Sequence, residues 1–427
     1  MVPTAAAAGA LYVSAENAQF DNLFGGPMVV EVIVKDPNRS MTNENAGEPT
    51  VMVDNQQLRM AQGLDGNWYG YFADSTDVAD VANDGSQLEF GTADDPDVGG
   101  ILGHASLATF DDTTYRSQLA LGGTAGANAA DFAGVIDNAP ELSNWNGTNA
   151  SSCTSCGQIG INSTNWPFLQ TYDFTQEDFD VILEQAGTNE VVTLDHNNGD
   201  LDDYSSLTLD RSSATQGAEV MLFIVDQQLN IDPTDEDVVI FKVANDGVAS
   251  TSSVSWTNGT INGDLVDGDN TSAYVAAGTG HGFSDNGKLL INNDTASSGT
   301  NTLEKIATAD DTVTATTSGF TYLVFFEDAD NTGTFSNVDD SDQANLQVTA
   351  DAKRGTTATF DYNDSAQSFI VANDFGTIDM DESSVGAEWN SGETLVVTLV
   401  DQDLNKNTLN DEDMVLTNSY NSTIPSL

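Results

Sequence analysis

Short apolar runs alternate with polar turns along most of the chain, and this pattern predicts β-strands. The runs are rich in Val, Ile, Phe and Thr and are bounded by Gly, Asn or Asp. They include "MVVEVIVKD", "EVMLFIVD", "DVVIFKV", "FTYLVFFED", "TTATFDYND" and "ETLVVTLVD". Helical periodicity is scarce, and only "TQEDFDVILEQAG" (175–187) predicts a helix, with Thr175 as cap, acids in the first turn and Gly187 as terminator. The sequence therefore predicts an all-β protein.

One acidic phrase occurs twice. The stretches "IVDQQLNIDPTDEDVVIF" (224–241) and "LVDQDLNKNTLNDEDMVL" (399–416) share Val-Asp-Gln, Leu-Asn and Asp-Glu-Asp. The sequence before each phrase repeats as well, with Asp-x-Ser-Ser followed by a Gly that lies nine residues before the Asp of the phrase. A looser copy occupies 24–49, where a Gly-bounded strand ends at Asp36. A similar strand also stands before each copy, "VVTLDHN" (191–197) and "TATFDYN" (357–363), and because the flanking strands repeat with the phrase, the repeating object is a domain.

The repeats predict the domain organisation. We expect one domain over 11–204, a second over 205–374 and a third that opens at 375. Residues 1–10 are a flexible terminus or the trailing end of a leader already removed. Residues 100–165 are poor in long apolar strands, and we expect an inserted surface excursion, either a floppy loop or a contact arm.

The third domain stops at Leu427, far short of its predecessor. Either the chain is a fragment of something longer or it borrows strands from a neighbour, and we favour the fragment.

The charge of the chain is extreme. Eleven Lys and Arg stand against 67 Asp and Glu, which gives a net charge of −56. Such a surface repels nucleic acid and anionic membranes and attracts cations. The apolar runs are dense enough to build cores, so disorder of the whole chain is excluded. No apolar run reaches the ~18 residues that suggest a membrane-spanning helix.

The acidic loops bring several carboxylate and amide oxygens into a small volume, which indicates a hard cation such as Ca²⁺, an ion that takes about six to eight oxygen ligands. The alternative is a solvated acidic turn that keeps strand edges unpaired. The candidate ligands in the second domain are Asp226, Asn230, Asp232, Asp235 and Asp237. Those in the third are Asp401, Asp403, Asn405, Asn407, Asp411 and Asp413.

A further stretch, "DADNTGTFSNVD" (328–339), matches much of an EF-hand loop. Asp328, Asp330, Thr332, Gly333 and Asp339 occupy positions one, three, five, six and twelve of that pattern. It departs from the pattern in Thr at position five and in Asp rather than Glu at position twelve, and no helices flank it. We therefore expect weaker calcium binding there than in a standard loop.

The cysteines and sequons bear on the compartment. Cys153 and Cys156 form a C-x2-C, which is a local disulfide, a pair of inert thiols, or a redox or metal pair. We favour the disulfide, because extracellular chains oxidise such pairs. The number of N-glycosylation triplets fits a secreted glycoprotein. They begin at Asn38, Asn146, Asn149, Asn162, Asn258, Asn270, Asn293, Asn363 and Asn421.

Catalysis has little support in the sequence. No G-x-S-x-G motif occurs, and His104, His196 and His281 are dispersed without an obvious nucleophile. Among 67 acids, any two carboxylates could lie at the separation that glycoside hydrolysis needs, so the abundance of acids says nothing about such an activity. Tryptophans can stack on sugars but more often fill a sandwich core; they are Trp68, Trp145, Trp166, Trp256 and Trp389. We predict that the protein is not an enzyme; the alternative is a secreted calcium-dependent carbohydrate-binding or glycoside-cleaving module.

Several phrases resemble a known family. "YVSAENAQFDNLFGGPMVVEVIVKDPN", "LRMAQGLDGNWYGYFAD" (58–74), "NWPFLQTYDF" (165–174) and the "VDQxLN…DED" phrases are similar to surface-layer proteins of marine ammonia-oxidising archaea. The resemblance implies a secreted, glycosylated protein of tandem immunoglobulin-like β-sandwiches that assembles with itself into a hexagonal lattice on the cell surface. This chain would be the N-terminal part of such a protein.

The resemblance also implies a use for the charge. A porous sheet that carries many carboxylates acts as a cation-selective screen, in which ammonium is enriched and anions are depleted. Salt at seawater strength screens charges beyond a few ångström, so the enrichment requires narrow pores lined closely by acids.

Overall fold

The computed structural model places a large part of the chain in defined structure. It describes residues 10–26, 28–43, 47–74, 91–92, 108–110, 118–120, 136, 138–143, 167–172, 174, 178–244, 260–265, 288–293, 302–306, 308, 320–363, 365–384, 386 and 388–412. Three segments are named below by their positions: the first unit (10–204), the second unit (205–374) and the third unit (375–412). Within the described residues, strands dominate and helices are short, so the predicted all-β, sandwich-type fold is confirmed.

The strands are short and follow one another closely. In chain order they are β1 (Leu11–Val13), β2 (Leu23–Phe24), β3 (Val30–Val34), β4 (Val51–Val53), β5 (Gln56–Leu58), β6 (Ala61–Gln62), β7 (Trp68–Asp74), β8 (Gly91–Thr92), β9 (Ala108–Phe110), β10 (Gln118–Ala120), β11 (Phe168–Tyr172), β12 (Asp178–Leu183), β13 (Glu190–His196), β14 (Ser206–Leu209), β15 (Ser213–Ala214), β16 (Leu222–Val225), β17 (Asp237–Ala244), β18 (Thr260–Leu265), β19 (Lys288–Asn293), β20 (Leu303–Lys305), β21 (Phe320–Glu327), β22 (Thr334–Ser336), β23 (Leu346–Val348), β24 (Thr357–Tyr362), β25 (Gln367–Val371), β26 (Thr377–Met380) and β27 (Val397–Val400).

The helical segments are single turns. The one α-helical turn among the described residues is Asn198–Leu201. The 3₁₀ turns are Ala18–Phe20, Asp202–Tyr204, Gln227–Leu229, Glu382–Ser384 and Gln402–Leu404. No helix in the described part of the chain is both long and apolar enough to cross a bilayer.

The strands form three large sheets and two small ones. A seven-stranded sheet runs β1-β3-β7-β11-β10-β9, with β6 also on β7, and a five-stranded sheet runs β2-β13-β12-β4-β5. An eleven-stranded sheet runs β14-β16-β22-β21-β17-β18-β19-β24-β25-β15, and β8 of the first unit pairs with β17 in it. Strands β20 and β23 form one small sheet, and β26 and β27 form the other.

Two large apolar cores and one smaller cluster lie among the described residues. The first is built within the first unit, from side chains such as Phe24, Trp68 and Phe72 that are fully buried. The second is built mainly from the second unit, but it also takes in apolar side chains of the first unit, including Val29 and Tyr71. The two units therefore share packed apolar surface, and they are not connected by a linker alone.

The predicted helix at 175–187 is wrong. Residues Asp178–Leu183 form strand β12, which pairs with β13 and β4 on its two sides. Burial alternates along this strand: Phe179, Val181 and Leu183 face the core, and Asp178 and Asp180 face solvent. The acids that suggested a first helical turn are thus the exposed positions of a period-two pattern. Pairing on both sides outweighs the weak helix signal.

The repeat in the sequence is a repeat in the backbone. Each unit contains an antiparallel pair in which the first residue of one strand lies opposite the last residue of the other. These pairs are Leu11 with Val34, Ser206 with Val225, and Thr377 with Val400. In the second unit the core-facing residues of this pair are buried, whereas in the third unit all residues of β26 and β27 are exposed.

Candidate cation site at the acidic turns

The two copies of the acidic phrase fold into the same turn. Asp226 and Asp401 each follow a strand in extended conformation, with φ and ψ of −158° and 108° in one and −150° and 107° in the other. Each Oδ1 accepts a hydrogen bond from the backbone N–H two residues on, at 2.9 Å and 3.0 Å. Such a side chain caps the first turn of a helix, here the 3₁₀ turns Gln227–Leu229 and Gln402–Leu404. Asp36 makes the same 2.9 Å contact to the N–H of Asn38 in the first unit.

In the second unit this turn is buried. Asp226 is 1% exposed, and while its Oδ1 caps the turn its Oδ2 accepts a hydrogen bond from the hydroxyl of Tyr362. Both carboxylate oxygens thus have donors within the protein. The capping role explains the Asp at this position, because the backbone N–H of Gln228 needs an acceptor, which the side chain two residues before it supplies.

A second acidic group lies just beyond the turn, around Asp237. Its Oδ2 accepts hydrogen bonds from the backbone N–H groups of Ile231 and Asp232, at 2.5 Å and 3.0 Å. The N–H of Asp237 in turn donates to Oε2 of Glu327, at 3.0 Å. Glu327 is buried, and its Oε1 accepts from the N–H groups of Thr332 and Gly333, both at 2.7 Å. Two carboxyl groups from the neighbouring strands β17 and β21, 90 positions apart in the sequence, are therefore both held by main-chain donors.

The electrostatics of this pair are unusual. Burial raises the pKa of Glu327 to about 7, although its backbone donors act in the opposite direction. Burial raises the pKa of Asp237 well above its ordinary value, and the nearby carboxyl groups of Glu327 and Asp232 raise it further. Neighbouring negative charges in a buried place favour a bound proton or a bound cation, since either relieves their repulsion.

Two amide oxygens on the same turn have no hydrogen-bond donor. They are Oε1 of Gln227 and Oδ1 of Asn230, and both side chains are buried. Oε1 of Gln227 packs against Gly333. An alanine at position 333 would place its Cβ only 2.3 Å from this oxygen. Gly333 also donates its N–H to Glu327, so this amide oxygen and the Glu327 carboxyl are neighbours.

Sequence reasoning did not select Glu327 or Gln227. Glu327 ends strand β21 immediately before the EF-hand-like stretch, and Gln227 lies inside the phrase as an ordinary polar residue. Both faces of β21 are buried next to Glu327, since Val324, Phe325 and Phe326 are all buried, so no alternation in the sequence marks this residue.

The other predicted ligands of the second unit serve local turns. Oδ1 of Asp232 accepts from the N–H and the hydroxyl of Thr234, at 2.9 Å and 2.6 Å. Asp235 is half-buried, and its Oδ1 accepts from the N–H of Glu236 at 3.0 Å. Oxygen atoms engaged in this way hold the loop in place.

The EF-hand-like stretch is a β-hairpin. Asn331 and Gly333 adopt positive φ of 57° and 62°, and the N–H of Asp328 donates to the carbonyl of Thr334. Asp328 and Asp330 are exposed at its tip. Strand β22 then runs back along β21, so Asp339 lies on the order of 15 Å from the tip at ~3.4 Å per residue.

Asp339 has its own structural role, because its Oδ1 accepts from the N–H groups of Ser341 and Gln343. The structure therefore does not bring the first and last positions of the EF-hand pattern together.

The predicted ligands of the third unit are spread along an open turn. Asp403 accepts from the N–H of Asp374 through Oδ1, and Asn407 accepts from the N–H groups of Leu409 and Asn410. Asp401 and Asn405 are half-buried, and Asp411 is exposed. Asp413 lies outside the described residues. Across the ranges given above for the structure, no group of three or more His, Cys, Asp or Glu is close enough to hold a metal ion.

The remaining candidates divide between described and undescribed positions. Asn38 is exposed, Asn293 lies in β19, and the Nδ2 of Asn363 donates to the carbonyl of Asp202 and the hydroxyl of Ser205. Outside the described residues lie Cys153, Cys156, Asn146, Asn149, Asn162, Asn258, Asn270 and Asn421.

The two tryptophans that the structure describes differ in exposure. Trp68 is a core residue and Trp389 is 63% exposed. Trp145, Trp166 and Trp256 lie outside the described residues. His196 packs on the ring of Phe24, with centroids 5.0 Å apart, and His104 and His281 are not described.

No protein-family model matches this chain, and no curated protein is similar to it.

Proposed function

We propose that this protein is an extracellular structural protein whose copies assemble into a porous, strongly acidic layer on the cell surface. It has no catalytic role in this proposal. The observation that supports the proposal most is the repetition of one strand-turn-strand unit, with an antiparallel strand pair and a capping aspartate in each copy. Repeated units that pack on their neighbours suit an extended scaffold, because each unit can reuse the same contacts.

The charge supports a second part of the proposal, that the layer selects cations. A net charge of −56 on each chain creates a negative potential that attracts small cations such as ammonium and repels anions. The Debye length is about 8 Å at physiological ionic strength and shorter in seawater, so only acids that line a narrow pore are effective. The coat thus protects the cell and enriches ammonium at its surface.

Calcium is the cation that we propose as a structural component. The oxygen donors around the second acidic turn are Asp232, Asp237, Glu327 and the free amide oxygens of Gln227 and Asn230. Oxygen-only donor sets suit Ca²⁺, and the ion would neutralise the buried carboxyl pair. The carboxylates at present accept hydrogen bonds from backbone amides, so these side chains would have to move closer together around an ion.

Imaging of the assembled protein tests the proposal. The purified protein, at seawater ionic strength, is dialysed into Ca²⁺, into Mg²⁺ at equal concentration, and into chelator, and each sample is imaged in negative stain. We expect ordered sheets in Ca²⁺ that dissolve in chelator. Monodisperse particles in all three conditions contradict self-assembly, and a glycan-binding screen centred on Trp389 then becomes the next experiment. Sheets that persist in chelator contradict the calcium component alone.

A further inference from the structure

The repeated turn makes the same backbone contact in two places, and each contact joins two units. The carbonyl of Ile231 in the second unit accepts a hydrogen bond from the N–H of Val29 in the first unit, at 3.0 Å. The carbonyl of Lys406 in the third unit accepts from the N–H of Glu219 in the second, at 2.7 Å. In both cases a later unit presents an acceptor to the unit before it.

The acceptors are equivalent positions of the repeat. Ile231 lies five residues after the capping Asp226, and Lys406 lies five residues after the capping Asp401. The donors are also alike, because each lies between a glycine of positive φ and the strand that follows it. These glycines are Gly26, with φ of 60°, and Gly217, with φ of 70°. An Ile and a Lys can serve equally, since the contact uses only main-chain atoms.

Side chains around the backbone contact differ between the two junctions. At the first junction, Asn230 donates to Oδ1 of Asn331, and Asn331 donates to the carbonyl of Ser14, at 2.9 Å and 3.1 Å. At the second junction, Arg211 donates to the carbonyls of Asn405 and Lys406, at 2.9 Å and 2.7 Å.

Asn407 adds a second polar contact to the second junction. Its Nδ2 donates to Oε2 of Glu219 at 3.0 Å. Asn407 is buried and Glu219 is part-buried, so each would lose a partner if the units separated.

We infer that the repeated acidic phrase is a docking element: its turn presents one main-chain carbonyl to the preceding unit, and unit-specific polar side chains around that contact determine which units pair. The capping aspartate fixes the turn that aims the carbonyl. The partner is a preceding unit of the same repeat with a glycine-bounded strand entry. This inference does not depend on the proposed lattice or on calcium.

Specificity follows from the difference between the junctions. A unit that docks at the wrong entry would leave the part-buried Arg211 or Asn331 without its carbonyl acceptor, and a donor left unpaired at a closed junction is costly. The shared backbone contact therefore joins the units, and the side chains around it determine which unit follows which.

Hydrogen exchange of the full chain, followed by mass spectrometry, tests the inference. Arg211→Gln removes the guanidinium donors of the second junction, and Arg354→Gln is the control, because Arg354 is exposed and its contact to the carbonyl of Asn373 lies outside both junctions. We expect about tenfold faster exchange at Glu219 and over 401–410 in Arg211→Gln, since lost hydrogen bonds to a charged group are worth about one factor of ten or more. The Val29 amide, at the other junction, should keep its rate.

A second variant leaves the turn itself intact. Asn407→Asp keeps the oxygen that accepts from the N–H groups of Leu409 and Asn410, but it replaces the donor to Glu219 with a carboxylate that repels it. We expect the same local increase at Glu219. Unchanged exchange at Glu219 in Asn407→Asp overturns the inference, and so does an equal increase at Val29, which would indicate general destabilisation. If Arg211→Gln does not fold, Asn407→Asp decides alone.

Discussion

Tyr362 donates its hydroxyl hydrogen to Oδ2 of Asp226, in a buried contact between residues 136 positions apart. The contact connects the end of β24 to the capping aspartate of the acidic turn in the second unit. We predict that Tyr362→Phe lowers the free energy of unfolding by about 1–3 kcal/mol, because a buried carboxylate oxygen loses its donor. Urea denaturation measures the change.

The chain offers a matched control for this substitution. Tyr204 makes the same kind of contact to Asp21, at 3.0 Å, but at an exposed position. Tyr204→Phe should change the free energy of unfolding by no more than about 0.5 kcal/mol. Equal losses for the two variants would mean that the burial of Asp226 contributes nothing to the effect.

Glu31 predicts a dependence of stability on pH. It is buried, it accepts a hydrogen bond from the hydroxyl of Tyr71 at 3.0 Å, and burial raises its pKa from 4.5 to about 7. A carboxyl group with a raised pKa binds its proton more tightly in the folded state. Its contribution is thus complete below about pH 4.5 and is lost as the pH rises through about 7, by up to about 3 kcal/mol.

Glu31→Gln should remove this part of the pH dependence. The neutral amide keeps an oxygen for Tyr71, so we expect the variant to be more stable than the parent at pH 8 and similar to it at pH 4.5. Thermal melts at several pH values measure the difference. Glu184→Gln, at an exposed position, should leave the pH profile unchanged. A parallel profile for Glu31→Gln and the parent would contradict the prediction.

Substitution of Gly333 tests how closely this residue packs against the acidic turn of the second unit. Both Gly333→Ala and Gly217→Ala place a side chain at positive φ, 62° and 70°, which costs about 1 kcal/mol or more. Only at Gly333 would the new Cβ also meet a neighbour, Oε1 of Gln227, whereas nothing lies within 4 Å at Gly217. We expect Gly333→Ala to be less stable than Gly217→Ala by a further 1–3 kcal/mol or so. Chemical denaturation of both variants checks this order.

Calcium binding at the buried carboxyl pair predicts a specific loss. If the ion binds only the folded protein, Ca²⁺ at about a hundred times its Kd adds roughly 2.7 kcal/mol to the free energy of unfolding. Glu327→Gln should abolish most of this gain, while Asp328→Asn, one residue on and exposed, should keep it. Calorimetry in Ca²⁺ and in chelator gives the comparison. Equal calcium-dependent shifts in parent and Glu327→Gln would exclude the pair as ligands.

Two sequons should differ in modification. Asn38 is exposed, and its Nδ2 makes an exposed contact to Oδ1 of Asp36 at 3.1 Å, whereas the Nδ2 of Asn363 donates at a part-buried site to the carbonyl of Asp202 and the hydroxyl of Ser205. An oligosaccharide attached at Asn363 would displace both contacts. Glycopeptide mass spectrometry of protein purified from its native host should therefore find sugar at Asn38 and none at Asn363. Full occupancy of Asn363 would contradict this expectation.

Local patterns were sufficient to predict most strands and the repeat. Runs rich in Val, Ile and Phe mark β3, β16, β17, β21, β24 and β27, because side chains of this kind suit a pleated, partly buried surface. The twin phrases gave equal turns, since a capping Asp acts on atoms only two residues away. Strand β12 was missed because its alternating acids also fit the first turn of a helix.

The candidate site depended on contacts that no local pattern contains. Asp237 and Glu327 are 90 positions apart, and only the pairing of β17 with β21 brings them together. Sequence spacing selected Asp339 as a partner for Asp328, but the return of β22 along β21 separates them. A ligand set read from a linear pattern assumes a loop geometry, and here the sheet register determined the geometry instead.

The main-chain acceptor at Ile231 and Lys406 has a consequence for how such a protein can diversify. Because the contact uses only main-chain atoms, the side chain at this position is free to suit its own surroundings: Ile231 is buried in an apolar core, and the half-buried Lys406 donates through Nζ to the carbonyl of Gln216. Units that share one backbone contact can therefore surround it with different side chains, apolar at one junction and polar at the other.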